Sequence, residues 1–160
     1  MSAEVINKNV EKVQVALARF GIKTKIVYFS ESTRTAQQAA DAIGCTVAQI
    51  VKSLIFCTER TQQPVLVLTS GINRVNEKAI EQLVDEKIKK ADADFTKKVT
   101  GFVIGGIPPL GHTQKITTFI DEDLLQYDTV WAAAGTPHTV FSLNSQDLVR
   151  IADGTIAKVI

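Results

Sequence analysis

The chain has 160 residues, of which 45% are apolar and 22% charged, with 18 Lys and Arg against 17 Asp and Glu. That is the size and composition of one folded domain with a sizeable core, and it excludes a disordered chain. A net charge of +1 excludes a protein that holds nucleic acid through a broad basic field, and no apolar run is long enough to span a bilayer.

The N-terminus, MSAEVINKNVEKV, is charged early and lacks an apolar signal core. Val10, Val13, Leu17 and Phe20 then recur at helical spacing, with Gly21 at the C′ position of an amphipathic helix. Ile22–Phe29 reads as a strand. Ser32-Thr33 offers an N-cap for a helix through Ala36, Ala39, Ala40 and Ile43, stopped by Gly44. Thr46 and Gln49 have capping-box spacing, which predicts a short helical turn. Two apolar runs, Ile50–Thr58 and Val65–Thr69, flank the polar ERTQQP and predict an antiparallel pair.

Asn76 caps a helix carrying Ala79, Ile80, Leu83 and Val84, and Phe95 with Val99 mark another that ends at Gly101. The cluster Lys87, Lys89, Lys90, Lys97 and Lys98 reads as a solvated charged face. Further on come the strand Ile116–Ile120, an Asp121-capped turn, the strand Thr129–Ala134, the strand Thr139–Leu143 and an Asn144-started helix. This irregular alternation, with short turns between several strands, predicts α+β with a mixed sheet rather than a doubly wound one. Cys45 and Cys57 are not in CxxC spacing; two buried free thiols in a reducing cytosol are expected, and hence a cytoplasmic protein.

Phosphate-binding GxxxxGK[ST], GxGxxG, HExxH and GxSxG are all absent. Two histidines and two separated cysteines make a poor zinc site, so neither a metal nor a cofactor is expected. Three features remain. In QIVKSLIF, strand alternation puts Lys52 in a row with Ile50, Leu54 and Phe56. Such a lysine either snorkels to water or stands as a cation on a pocket wall, where reduced solvation strengthens its pull on an oxyanion or phosphate. The second feature is GGIPPLGH at 105–112, whose prolines fix φ and whose glycines allow φ > 0. It is either a hard turn or a loop that brings bare backbone amides close to a ligand. The third is Gly135-Thr136-Pro137-His138, a hairpin connection or a second Gly-Pro-His site loop.

KSLIF, TSGINRVNEKAIEQL, the GxxxPxG within GGIPPLG and AAAGTPHTVFSL, in this order and spacing across residues 22–151, resemble the YbaK/prolyl-tRNA-synthetase-associated domain family. The resemblance implies a single compact domain over residues 1–160 with a mixed, barrel-like sheet flanked by helices. It also implies trans-editing, the hydrolysis of the ester joining a wrong amino acid to tRNA, tRNA(Pro) above all. The partners would be the acceptor end of mischarged tRNA and prolyl-tRNA synthetase. By position, Lys52 matches the family lysine, Gly105 through Gly111 match its substrate loop, and His138 falls near a histidine used by some subgroups. The expected catalytic set is Lys52, Gly105 and His138; the expected substrate-binding set is Gly106, Pro109, Gly111, His112, Ser70, Gly135 and Thr136. Pro108-Pro109-Leu110-Gly111-His112 departs from the SPLG of the cysteinyl-tRNA(Pro) deacylases, so cysteine is not assumed as the amino acid removed. Other readings are a small acyl hydrolase using the same pocket and a non-catalytic aminoacyl-tRNA-binding module.

Overall fold

A computed structural model describes residues 7–160. Helix α1 (Lys8–Arg19) is capped by Asn7, whose side chain accepts from the N–H groups of Asn9 and Val10, and it buries Val10, Val13 and Leu17. Fully burying a side chain of this kind contributes about 1.5–3 kcal/mol. Of the segment expected as a strand from Ile22 to Phe29, only β1 (Val27–Tyr28) forms a strand, followed by one main-chain bond from the Phe29 N–H to the His138 carbonyl. Upstream of it, Thr24 Oγ1 donates to the Ser142 carbonyl, a side-chain bond where a ladder bond was expected. Helix α2 (Ala36–Ile43) is capped by Thr35 in a full capping box with Gln38. Ser32 and Thr33, the expected caps, are otherwise engaged: Ser32 Oγ accepts from the Arg34 N–H, and Thr33 donates twice to the Pro137 carbonyl.

After a 3₁₀ turn at Val47–Gln49, β2 (Val51–Thr58) and β3 (Pro64–Ser70) form the expected antiparallel pair, in the register Val51–Ser70 to Cys57–Pro64. Helix α3 (Glu77–Val84) begins at the Asn76 cap, and α4 (Ala93–Thr100) at an Asp92 cap, ending at left-handed Gly101. Between them lies β4 (Ile88–Lys90), unforeseen because its sequence reads as a charged surface. Lys89 and Lys90 are indeed exposed, but the backbone pairs with Phe56–Thr58. Strand β5 (Thr117–Asp121), a 3₁₀ turn at Glu122–Gln126, β6 (Thr129–Ala133), β7 (Thr139–Asn144) and α5 (Ser145–Ala152) follow in the expected order. Strand β8 (Thr155–Ala157) is short and mostly exposed, which hides it from hydrophobic patterning.

The strands make a mixed five-stranded sheet, β4-β2-β3-β5-β8, and a three-stranded sheet, β1-β7-β6. Strands β3, β5 and β8 run parallel to one another. The expected mixed sheet is present, but it does not close into a barrel. Among the described residues one parallel bridge, Ile50 to Trp131, links the two sheets through the main chain. One face of the larger sheet (Val51, Ile55, Leu66, Leu68, Ile120) enters the main core with α1, α5 and the smaller sheet. Its other face (Phe56, Val67, Phe119) packs under Ile80 of α3. Burial on both faces accounts for β3, which is buried throughout. Cys57 is buried and Cys45 half-buried, both free. No helix among the described residues is long and apolar enough to cross a membrane.

Candidate active site

Strand β2 pairs with β3 along one edge, but with β4 only at Phe56–Thr58 along the other. The Ala91 N–H donates to the Ile55 carbonyl on that second edge, and N-terminal to Ile55 the edge carries no strand ladder among the described residues, only the nearby Ile50–Trp131 bridge. A cavity of about 310 Å³ opens in this gap, between β2, β6, the start of α2 and the loop at 104–107. Ile50, Leu54, Ile107 and Trp131 make apolar walls, and Arg34, Lys52, Ser53 and Gly105 bring polar groups to it.

Lys52 reaches this cavity from the β2 face it shares with Leu54 and Phe56, as strand alternation requires. Its ammonium donates to the Asn73 carbonyl at 2.6 Å. Burial holds its pKa below the ordinary lysine value, with the Asp121 carboxylate pulling the other way. Gly105 also lines the cavity, outside every strand and helix, at φ +91°. A Cβ there would run into Cγ of Arg34, so the glycine meets both a conformational and a steric requirement. Gly106 packs backbone to backbone on Thr136, where an added Cβ would stand 2.8 Å from its Cα and carbonyl carbon. The two glycine–proline loops singled out in the sequence therefore touch.

The remaining sequence candidates lie elsewhere. Gly135, at φ +105°, packs against the main chain of Asn9. Thr136 Oγ1 shares a hydrogen bond with Thr139 Oγ1. His138 is exposed and does not line the cavity; its Nδ1 meets the Glu31 carbonyl at 3.1 Å, while its own carbonyl accepts from the Phe29 N–H. Ser70 is buried, donating its hydroxyl to Ala48 and its N–H to Asp121. Pro109, Gly111 and His112 border a separate groove beside the end of α5. His112 Nε2 meets the Pro108 carbonyl at 2.7 Å, with its ring edge-on to Phe102.

Sequence reasoning missed Arg34, Ser53 and Trp131. Arg34 precedes an N-cap and Trp131 sits in an apolar strand, and neither position marks a site until loops and sheets meet. Ser53 follows the singled-out lysine, and its Oγ is buried with no hydrogen-bond partner among the described residues.

A small cavity at the junction of two sheets, lined by a half-buried lysine and a left-handed glycine, sits in an α+β domain. Residues 30–151 match the sequence profile of the aminoacyl-tRNA editing domain, and the chain belongs to that family. A crystal structure of a candidate trans-editing enzyme for prolyl tRNA synthetase superposes with a TM-score of 0.89 at 38% identity, covering 97% of this chain and 98% of that one. The uncharacterized protein YwhH of Bacillus subtilis is 26% identical over 140 residues, 88% of each chain. EbsC of Enterococcus faecalis, a candidate Cys-tRNA(Pro)/Cys-tRNA(Cys) deacylase, is 21% identical over 131 residues, 82% of this chain and 80% of EbsC.

Proposed function

We propose that this protein is a trans-editing deacylase that hydrolyses the ester of mischarged tRNA(Pro) bearing a small amino acid. The observation that carries the reading is that Lys52 and Gly105, from distant parts of the chain, line one cavity of about 310 Å³. That volume is at the lower end for small-molecule sites. The terminal ribose takes up part of it, leaving room for a short side chain. An aminoacyl ester needs little chemical help, since water or the vicinal ribose hydroxyl can attack it; position and oxyanion stabilisation are what the protein supplies. The Lys52 ammonium polarises the ester carbonyl, and Gly105 lets main chain approach it without a Cβ between them. Arg34, at the cavity, is the cation for the phosphate of the terminal nucleotide. Pro137 and His138 act by pinning the 29–33 segment that leads into Arg34, through their bonds to Thr33, Phe29 and Glu31. No metal or cofactor enters this scheme.

In this reading residues 1–160 act as one editing unit on the acceptor end of tRNA in the cytoplasm, in the service of prolyl-tRNA synthetase. The crystal structure at 38% identity, a candidate for that same service, supports the partner. The test is the hydrolysis rate of one tRNA(Pro) charged in turn with alanine, serine, cysteine and proline. A rigid pocket excludes a larger side chain by overlap but rejects a smaller one by only about 1–3 kcal/mol per missing methylene. Alanyl, seryl or cysteinyl esters should be hydrolysed and the prolyl ester spared. Equal alanyl and prolyl rates would leave a generic esterase, and tight binding without turnover would leave a non-catalytic module.

A further inference from the structure

Asp121 is 1% exposed; one of its carboxylate oxygens caps the turn after β5, and the other is held by groups at the end of β3 and in the turn next to Lys52. Its Oδ2 accepts from the Thr69 hydroxyl at 2.9 Å, the Ser70 N–H at 3.0 Å and the Asn73 side-chain amide at 2.8 Å. Its Oδ1 accepts from the Asp123 N–H at 2.9 Å. The same Asn73 amide nitrogen also donates to Asp123 Oδ2 at 2.8 Å, so two carboxylates grip one side chain. Asn73 then presents its main-chain carbonyl to the Lys52 ammonium at 2.6 Å. Thr69, the first donor to Asp121, is the cross-strand partner of Lys52 in the β2–β3 ladder.

Burial of a carboxylate is costly unless its oxygens are hydrogen-bonded. A hydroxyl and an asparagine side chain would satisfy Asp121 anywhere; here they tie the end of β3 to the 71–73 turn that bears the lysine's acceptor. We propose that Asp121, acting through Asn73, is a positioning residue that fixes the Lys52 ammonium at the cavity wall. One ammonium hydrogen is spent on Asn73, which leaves two free to meet a group in the cavity. Asp121 adds attraction through space, which keeps the half-buried lysine charged. Two further charged groups sit on neighbouring elements: Asp123, held by the same Asn73 amide, and Arg34, which lines the cavity with Lys52.

This inference rests on Lys52 being the site cation, and two variants separate it from that reading. Asn73→Ala keeps the carbonyl that holds Lys52 but removes the tether to both carboxylates. Asp121→Asn keeps the size and removes the charge. The readouts are kcat and KM for deacylation, their pH profiles, and the titration of the Lys52 ¹⁵Nζ resonance in the full chain. Asn73→Ala should lower kcat about tenfold with KM little changed, the order expected when a reacting group is slightly misplaced. Asp121→Asn should move the Lys52 titration, and the alkaline limb of kcat, to lower pH. If both variants melt lower yet keep the wild-type kcat and Lys52 titration, Asp121 is only structural and the positioning role is wrong. If Lys52→Ala is fully active while the resonance still shifts in Asp121→Asn, the tether stands and the assignment of Lys52 to deacylation falls.

Discussion

At Lys52 one side chain serves two demands that oppose each other. Burial makes the cation more potent toward an oxyanion and also easier to deprotonate. Because its pKa is held below the ordinary lysine value, the charged form is lost on the alkaline side earlier than for an exposed lysine. Deacylation should therefore fall at a pH below the usual lysine range. Lys52→Ala should lower the rate by about two to three orders of magnitude, the scale for removing one oxyanion donor, with little change in melting temperature. Single-turnover deacylation and a thermal melt check both; a lower melting point with full activity would make the lysine structural. Gly105→Ala tests the opposite wall. Its positive φ and the Arg34 methylenes leave no room for a methyl group, so the loop must shift. The rate should fall by at least tenfold, a small displacement near reacting atoms being enough, while a melt shows only a modest loss.

The segment GGIPPLGH divides its labour along its length. Gly105 and Ile107 face the cavity, Gly106 packs on Thr136, and Pro108 receives the bond from His112. His112 lies outside the cavity, its ring edge-on to Phe102. Burial lowers its pKa, so the folded protein holds a neutral ring that donates Nε2–H to the Pro108 carbonyl. The unfolded chain then binds the extra proton first as pH falls below about 6.5, so stability is lost on acidification and is fully present above that value. His112→Gln should shrink the drop in melting temperature between about pH 7.5 and about pH 5, at about 2–4 °C for each kcal/mol in a chain of this size. An unchanged drop would mean that His112 titrates alike in both states.

Much of this layout was legible in the sequence because it is local. Caps at Asn76 and Asn144, the capping box at Thr46, and period-two alternation through Lys52 each depend on neighbours in the chain. What the chain order hides is contact between distant segments. The cap of α2 moved to Thr35 because Thr33 is bonded to Pro137 across the fold, and Arg34 came to the cavity with it. His112 and Gly111 resemble site residues in composition, yet their surroundings are α1, α5 and Phe102.

For the whole molecule, a net charge of +1 limits how tRNA can be held. Without a broad basic field, contacts should concentrate at the acceptor end, so binding should weaken with salt along a shallow slope, about one power of salt for each phosphate contact. An acceptor-stem minihelix should then bind within a few-fold of full tRNA in a salt titration. A steep slope and a strong preference for full tRNA would require a basic surface reaching well beyond the cavity.

Each sheet is stiff within itself, bound by ladders of main-chain hydrogen bonds, whereas one bridge, Ile50 to Trp131, joins the two. The cavity straddles that joint, with Lys52 on one slab and Trp131 on the other. Its aperture is thus set by how the two sheets are held against each other, through that bridge and the core they share. The fineness of the sieve then depends on how firmly the surrounding loops clamp the slabs together, so substitutions far from the ester, at Gly106 against Thr136 or Thr33 against Pro137, can coarsen it.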